Sequence, residues 1–314
     1  MLKDKALKKI LITSITLLIL LVLYLIPSIE TESTLKANLE LEYISGVGTD
    51  NIYLLDENNY LVRSKILITE NDLKKKVKAL VKNLTLSSSS IFPDSLCAPI
   101  PKGTRLLDIE ILDKVVTLNF SKEFLKVDKE IEDKMFESIV FSLTDLKKVE
   151  GVIIKVEGEQ LGNYPNSKAL LPKVLTKDIG INKEYNLVKR KDINKVVVYY
   201  LENIDHVNYY VPVTRYVNDS RDKVKIIVDN LTTRYIYEPN LISPLKNTTT
   251  LKEYNIEENV MFLDFDQNIY SDKQVLKEEV LNLVSYSIFD NYDIESIVLS
   301  VEGKNIKQIK RSEL

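Results

Sequence analysis

The chain has 314 residues, 45% apolar and 28% charged, with a formal net charge of −3, eight Gly, nine Pro, one Cys and one His. This balance excludes a disordered or collagen-like chain and a polytopic membrane protein, and it leaves room for two domains that each bury a core. A net-acidic chain binds phosphate poorly, which argues against nucleic acid as a partner, and one cysteine cannot make an intrachain disulfide framework.

The N-terminus departs from the rest. Residues 10–26, "ILITSITLLILLVLYLI", carry no charge, and their only polar side chains are Thr13, Ser14, Thr16 and Tyr24. As a helix this run spans about 25 Å, the short end of what crosses a hydrocarbon core. Lys3, Lys5, Lys8 and Lys9 precede it, against one Asp4, and Glu30 and Glu32 follow it. That asymmetry puts residues 1–9 in the cytoplasm and the rest of the chain outside. The exit "YLIPSIETES" has neither an Ala-x-Ala cleavage pattern nor a lipid-accepting Cys, so the expectation is a retained single-pass anchor followed by a polar spacer over 27–47.

Residues 48–160 read as a first domain. "IYLLDENNYLVRSKILI" is two strands around a polar turn. "LKKKVKALVKNL" places Leu73, Val77, Leu80, Val81 and Leu84 on one helical face, with Thr69 or Asn71 as the expected N-cap. A strand pair including "VVTLNF" follows, then a helix with Ile131, Met135, Ile139 and Leu143 every four residues, then the strand "VIIKV".

Residues 161–193 hold Gly, Pro, Asn and Lys without a period and read as a linker, with a short ordered piece near 169–175 docking on a neighbour. Residues 194–314 repeat the first pattern. "VVVYYLENIDHVNYYVPVTRYV" is again a hairpin, and "SRDKVKIIVDNL" repeats the stripe as Val224, Ile227, Val228 and Leu231, with Asp219 or Ser220 as expected cap. Leu276, Val280, Val284 and Ile288 then match the second helix, and "IVLSV" matches its following strand.

The duplication is explicit over residues 96–158, which align without gaps on 241–303 at 14 identical positions of 63. Pro99/Pro244, Thr104/Thr249, Leu118/Leu263, Phe120/Phe265 and Ser142/Ser287 are among them, and "VEG" closes both copies. Two small α+β domains follow, each a sheet of about five strands with two helices on one face.

Reactive side chains do not cluster. His206 lies in the polar turn "ENIDHVN", and Cys97 aligns with Ile242, which marks it as a buried packing position. Asp264 and Asp266 share a strand face, and Glu278 and Glu279 open a helix turn, but the first copy has Asn119 and Ser121 at the two Asp positions. Solvation of a strand end explains those carboxylates better than acid–base chemistry. Gly46 and Gly48 are too isolated for a phosphate loop. The expectation is no catalytic residue, no cofactor site and no metal site. Tyr199, Tyr200, Tyr209, Tyr210 and Tyr216 crowd one hairpin, and alternation puts Tyr199 and Tyr200 on opposite faces. They either stiffen the sheet or, with at least one exposed, form a contact surface.

"PIPKGTRLLDIEILDKVVTLNFSKEF", "ESIVFSLTDLKKVEGVIIKVEG" and "YYVPVTRYV" together resemble the tandem GerM-domain proteins of the sporulation and spore-germination family. The resemblance covers roughly 48–160 and 194–305. It is closest in the first copy; the second lacks the Gly in "SPLKNTTTLKEYNIEENV" and has "SIFDN" for Thr-Leu, and the first hairpin has "YLVRSK". It implies a non-enzymatic, membrane-tethered extracytoplasmic protein, in the cell or forespore membrane, whose domains are similar to small ring-building folds that associate side by side. Implied partners are proteins of a sporulation envelope complex, including further copies of the chain. The alternatives are a peptidoglycan-binding module using Tyr209 and Tyr210, and a hydrolase using Asp264 and Asp266.

Overall fold

Asp56 builds the first turn. Its Oδ1 accepts from the backbone N–H groups of Asn58 (2.9 Å) and Tyr60 (2.6 Å), and Asn59 adopts a left-handed φ of 61°. The strands so joined are β1 (Thr49–Leu55) and β2 (Leu61–Leu67). The computed structural model describes residues 49–86, 91–233, 240–271 and 274–313. Gly48–Leu314 forms a compact unit in its own right. The expected tail 1–9, anchor 10–26 and spacer 27–47 lie outside the described residues. Among the described residues no helix is long and apolar enough to cross a membrane.

Helix α1 (Leu73–Asn83) buries Val77, Leu80 and Val81. Its cap is Asp72, whose side chain accepts from Lys75 N, rather than Thr69 or Asn71. Strands β3 (Leu106–Leu112) and β4 (Val115–Phe120) pair antiparallel around Asp113 and Lys114, both at positive φ, as a tight hairpin demands. Helix α2 (Glu132–Thr144) then carries the chain to β5 (Gly151–Val156), which lies parallel to β4. A parallel neighbour needs such a crossover. Glu157 and Gly158, at φ 51° and 90°, turn the chain back into β6 (Glu159–Gln160). The "EG" of the closing motif is therefore a turn that wants a glycine, not a strand end.

The second copy repeats this as β8 (Asn194–Ile204), β9 (Val207–Val217), α3 (Lys223–Thr232), β10 (Leu251–Glu257), β11 (Val260–Phe265), α4 (Glu278–Phe289), β12 (Ser296–Val301) and β13 (Lys304–Lys310). Helix α3 starts one turn later than its counterpart, at the Asp222 cap position, because Asp219 is held by the Arg221 backbone and guanidinium.

The α+β class stands, and the strands expected of each copy are present, but they are divided between sheets. β3-β4-β5-β6 and β10-β11-β12-β13 are four-stranded sheets belonging to one copy each. The two N-terminal hairpins instead merge into one shared sheet. One edge of β9 takes all of β8; the other takes β2 at Arg63↔Tyr210 and β7 (Glu184–Asn186) at Glu184↔Arg215 through Asn186↔Val217. Within the hairpins Tyr53 pairs with Arg63 and Tyr199 with Pro212, so Val62 and Val211 are equivalent, and continuing the Arg63↔Tyr210 register sets those two opposite each other. Equivalent points of the two copies thus meet antiparallel, about an approximate twofold axis. Because its sheet is covered on both faces, β8 buries the unbroken run Val196 to Leu201. Tyr199 and Tyr200 are consequently both buried, so of the two readings of this pair the stiffened sheet holds and an exposed contact does not.

Each copy's long helix seals a sheet edge. Ser142 Oγ accepts from Tyr53 N (3.0 Å) and Ser138 Oγ donates to Tyr53 O (2.6 Å); Ser287 Oγ accepts from Tyr199 N (2.9 Å). A bare strand edge is a pairing liability, and these hydroxyls remove it. Residues 161–193 are built into the body. Leu175 exchanges both backbone hydrogen bonds with Val152 at 2.8 Å, and Leu171 and Ile181 are buried. A Cβ at Gly151 would stand 2.5 Å from Val174 Cγ1, so this docking needs a glycine at the start of β5.

Candidate functional site

Linked polar groups line the seam between the copies. Lys177, just before β7, reaches Asp145 Oδ1 at 2.7 Å and Asp290 Oδ1 at 2.9 Å. Those aspartates close α2 and α4 at equivalent positions. Tyr53 Oη donates to Asp145 Oδ2 (3.0 Å), Tyr199 Oη to Asp290 Oδ2 (2.6 Å), and the two hydroxyls stand 3.3 Å apart. Asn51 Nδ2 adds a bond to Asp145 Oδ2 (2.9 Å). Burial disfavours a charge on Asp145, but Lys177 and Arg63 outweigh it and hold the carboxyl below its ordinary range. Burial and the same carboxylates push both tyrosines far up, so they stay protonated donors. Arg63 itself lies over the Tyr286 ring at 3.9 Å.

A second node centres on Asn182, 2% exposed with φ 46°. Its amide donates to Leu61 O (2.9 Å) and Pro212 O (2.8 Å), while Oδ1 accepts from Leu61 N (2.9 Å) and Lys134 Nζ (2.6 Å). Continuing the Arg63↔Tyr210 register sets Leu61 opposite Pro212, which has no N–H to give. The Asn182 side chain fills that gap in the ladder. Lys183 pairs with the buried Glu137 (2.8 Å) and with Asp133 (3.3 Å), and Glu184 pairs with the buried Arg215 (3.0 Å). Residues 177–186 thus act as a strap stitched to both copies.

A third node brings together Asp56 and Glu202, one residue beyond the equivalent Leu55 and Leu201. Both are buried. Burial, and then the neighbouring Asp56 carboxyl, pushes Glu202 up to about 8, while Asn58 Nδ2 steadies Glu202 Oε1 at 3.1 Å.

The first two nodes are networks of ion pairs and hydrogen bonds that tie the copies together, and the third is a pair of buried carboxyls bridged by Asn58. The carboxylates singled out in the sequence serve separate turns. Asp264 Oδ1 accepts from Gly303 N (2.9 Å), as Asn119 Oδ1 does from Gly158 N (2.9 Å) in the first copy. Asp266 accepts from Thr250 N (3.1 Å) and Oγ1 (2.8 Å), and Ser121 Oγ accepts from Arg105 N (3.0 Å) at the matching point. Burial opposes the Asp266 charge, but these bonds hold its carboxyl below the usual range. Asn and Asp, or Ser and Asp, replace one another because the backbone needs only an acceptor. Glu278 and Glu279 occupy the first turn of α4, where the helix dipole favours them. His206 is exposed in its turn at φ 66°, and Tyr209, Tyr210 and Tyr216 are half-buried. Cys97 and its counterpart Ile242 are both exposed, correcting the reading of a buried thiol: their backbones bridge to Leu55 and Leu201, which turns the side chains outward. Among the described residues no group of three or more His, Cys, Asp or Glu is placed to hold a metal.

Asp145 and Asp290 were missed, although they are identical in the aligned copies and adjoin the matched Ser142 and Ser287. Lys177 and Asn182 gave no such signal, since the strap is not duplicated.

A family model described as Germane, sporulation and spore germination, matches residues 51–162 and 197–307. The chain belongs to that family. The spore germination protein GerM of Bacillus subtilis (strain 168) is 26% identical over 286 residues, covering 88% of this chain and 77% of GerM. The solved structure of the tandem GerMN domains of the Bacillus subtilis sporulation protein GerM superposes with a TM-score of 0.77 at 24% identity, covering 84% of this chain and 96% of that one. At that identity the structural likeness establishes the shared fold of this Germane family member, with its domains in tandem.

Proposed function

We propose that this family member is a membrane-anchored, extracytoplasmic scaffold in spore formation or germination, binding protein partners through its fused tandem domains. The observation that carries this reading is the seam. It fixes two like modules in one body and leaves each with a terminal strand, β3 and β10, hydrogen-bonded on one side only. Both strands slip register at the same place, Leu106/Asp108 and Leu251/Glu253, and both present apolar side chains, Leu112 in one and Ile256 in the other. Repeated edges with charged flanks resist aggregation yet can accept a matched strand. Kinship with a protein named for spore germination supports the process. The uncharged run at 10–26 supports the anchor, with the lysine-rich tail inside.

The test is photo-crosslinking in sporulating cells of the native host, with a reactive residue at Leu112 or Ile256 and at the exposed Leu170 as control. Discrete sporulation-dependent adducts at the two edges and not at Leu170 are expected. No adduct at either edge would overturn the scaffold reading. Protease shaving of intact cells checks topology: the body should be cleaved and the tail protected.

A further inference from the structure

We infer that residues 187–191 form a second membrane-contact point, docking on an anionic lipid surface independently of the N-terminal anchor. The sequence here reads "LVKRK", after Tyr185 and Asn186 and before Asp192 and Ile193. In a chain of net charge −3, Lys189, Arg190, Lys191 and Lys195 stand against the single Asp192 between them. Residues 185–193 are exposed without a break, and Val188 is 94% exposed. Leu187, Ile193 and Tyr185 are exposed beside it.

The loop is held, not left loose. Asn218, at the end of β9, accepts from Val188 N (2.8 Å) and Lys189 N (2.9 Å), and its amide donates to Lys191 O (2.8 Å) and Asp192 O (3.4 Å). Four of the tip's backbone groups are thus bonded from within, and its side chains face outward. Tyr185 stacks on Tyr216 with ring centroids 4.8 Å apart, planting an aromatic ring at the base of the tip. Lys189 is tied to Asp192 (2.7 Å) and Lys195 to Asp178 (2.7 Å). Arg190 and Lys191 have no ion-pair partner among the described residues.

An outward aliphatic tip, ringed by cations and backed by tyrosine, matches the headgroup region of an anionic bilayer: the aliphatics enter and the cations meet phosphate. An acidic protein would satisfy the cations, but it would also need a pocket shaped for Val188. A bilayer asks for no such complementarity, and charge matching favours it.

The compact unit, residues 48–314, lacks tryptophan, so Val188→Trp is a clean reporter. Mixed with phosphatidylglycerol vesicles, V188W should shift its emission to the blue, and with phosphatidylcholine vesicles it should not. Replacing Arg190 and Lys191 together by Ser should weaken co-sedimentation with phosphatidylglycerol vesicles about twenty-five-fold, at about fivefold per cation. Val188→Asp should weaken it too, with an unchanged thermal midpoint confirming the fold. Equal binding to both vesicle types, unaltered binding by the double Ser variant, or no vesicle binding overturns the inference. Retention on polyglutamate without vesicle binding would assign the tip to an acidic protein instead.

Discussion

Tyr53 and Tyr199 meet hydroxyl to hydroxyl at 3.3 Å across 146 residues of chain, each holding the same place in its own copy. Each also donates to the aspartate that ends its copy's long helix, and Lys177 clamps the two aspartates. The copies are therefore joined by a polar centre as well as by their cores. The energetics of that centre follow from how much of it is shielded.

Removing the clamp should be costly. Lys177→Met takes away the cation that bridges the two carboxylates and leaves Arg63 beside Asp145, and breaking a fully buried pair costs roughly 3–5 kcal/mol. A third of the Lys177 side chain remains accessible (33%), which lowers the expected loss to about 2–4 kcal/mol. Urea unfolding measures it. Adding Asp145→Asn and Asp290→Asn should recover part of the loss, and a triple variant no more stable than the single one would show that charge is not the cause.

Glu202 makes stability depend on pH. Its folded-state value, about 8, lies above the ordinary glutamate value of 4.5, so the folded chain holds a proton that the unfolded chain has released. Stability from this group is complete below the unfolded value and falls as pH rises from about 4.5 towards 8, then levels. The groups facing the pair are Asp56 and Asn58 from the β1–β2 turn, Cys97 from the bridging segment and Lys134 from α2. Glu202→Gln should flatten this fall and raise the thermal midpoint above pH ~8, with little change at pH ~5. An unaltered slope would mean that the proton sits elsewhere.

The Asn182 amide stands in for a missing peptide group. Asn182→Ala strips partners from Leu61 N–H, Leu61 C=O and Pro212 C=O at once, and its positive φ suits Asn better than Ala. The expected cost is about 3 kcal/mol. Amide exchange should locate it: Leu61 N–H loses protection, while β4 and β11 keep theirs. Uniform loss over the whole body would instead indicate a global core defect.

Apolar period and the 145-residue echo made the helices and strands legible, because periodicity reports which face is buried. Strand partners are another matter. Nothing in "VVVYYLENIDHVNYYVPVTRYV" says that its hairpin joins the one from the first copy, and so alternation left open whether Tyr199 or Tyr200 meets solvent. Cys97 failed for a related reason, since alignment with Ile242 shows that two positions are alike but not that they are buried. Lys177 and Asn182 act once, at an axis, where a repeat cannot announce them. Asp145 and Asp290, identical in both copies, were there to be read.

Cys97 supplies a probe of this seam. Its side chain is exposed, yet partial burial and then the Asp56 carboxylate push the thiol up, so less of it is thiolate at neutral pH. Ellman's reagent should therefore titrate one thiol per chain without denaturant, but slowly. Asp56→Asn removes the negative charge and leaves the partial burial, so the rate near pH ~7 should rise. Asp56 also builds the β1–β2 turn, and a loosened turn would speed the reaction for a different reason. The rate of Glu202→Gln separates the two: it leaves Asp56 and its turn bonds in place, so the thiol should stay slow. A thiol silent until unfolding, or fast in the unaltered chain, contradicts the exposure and charge assigned to it.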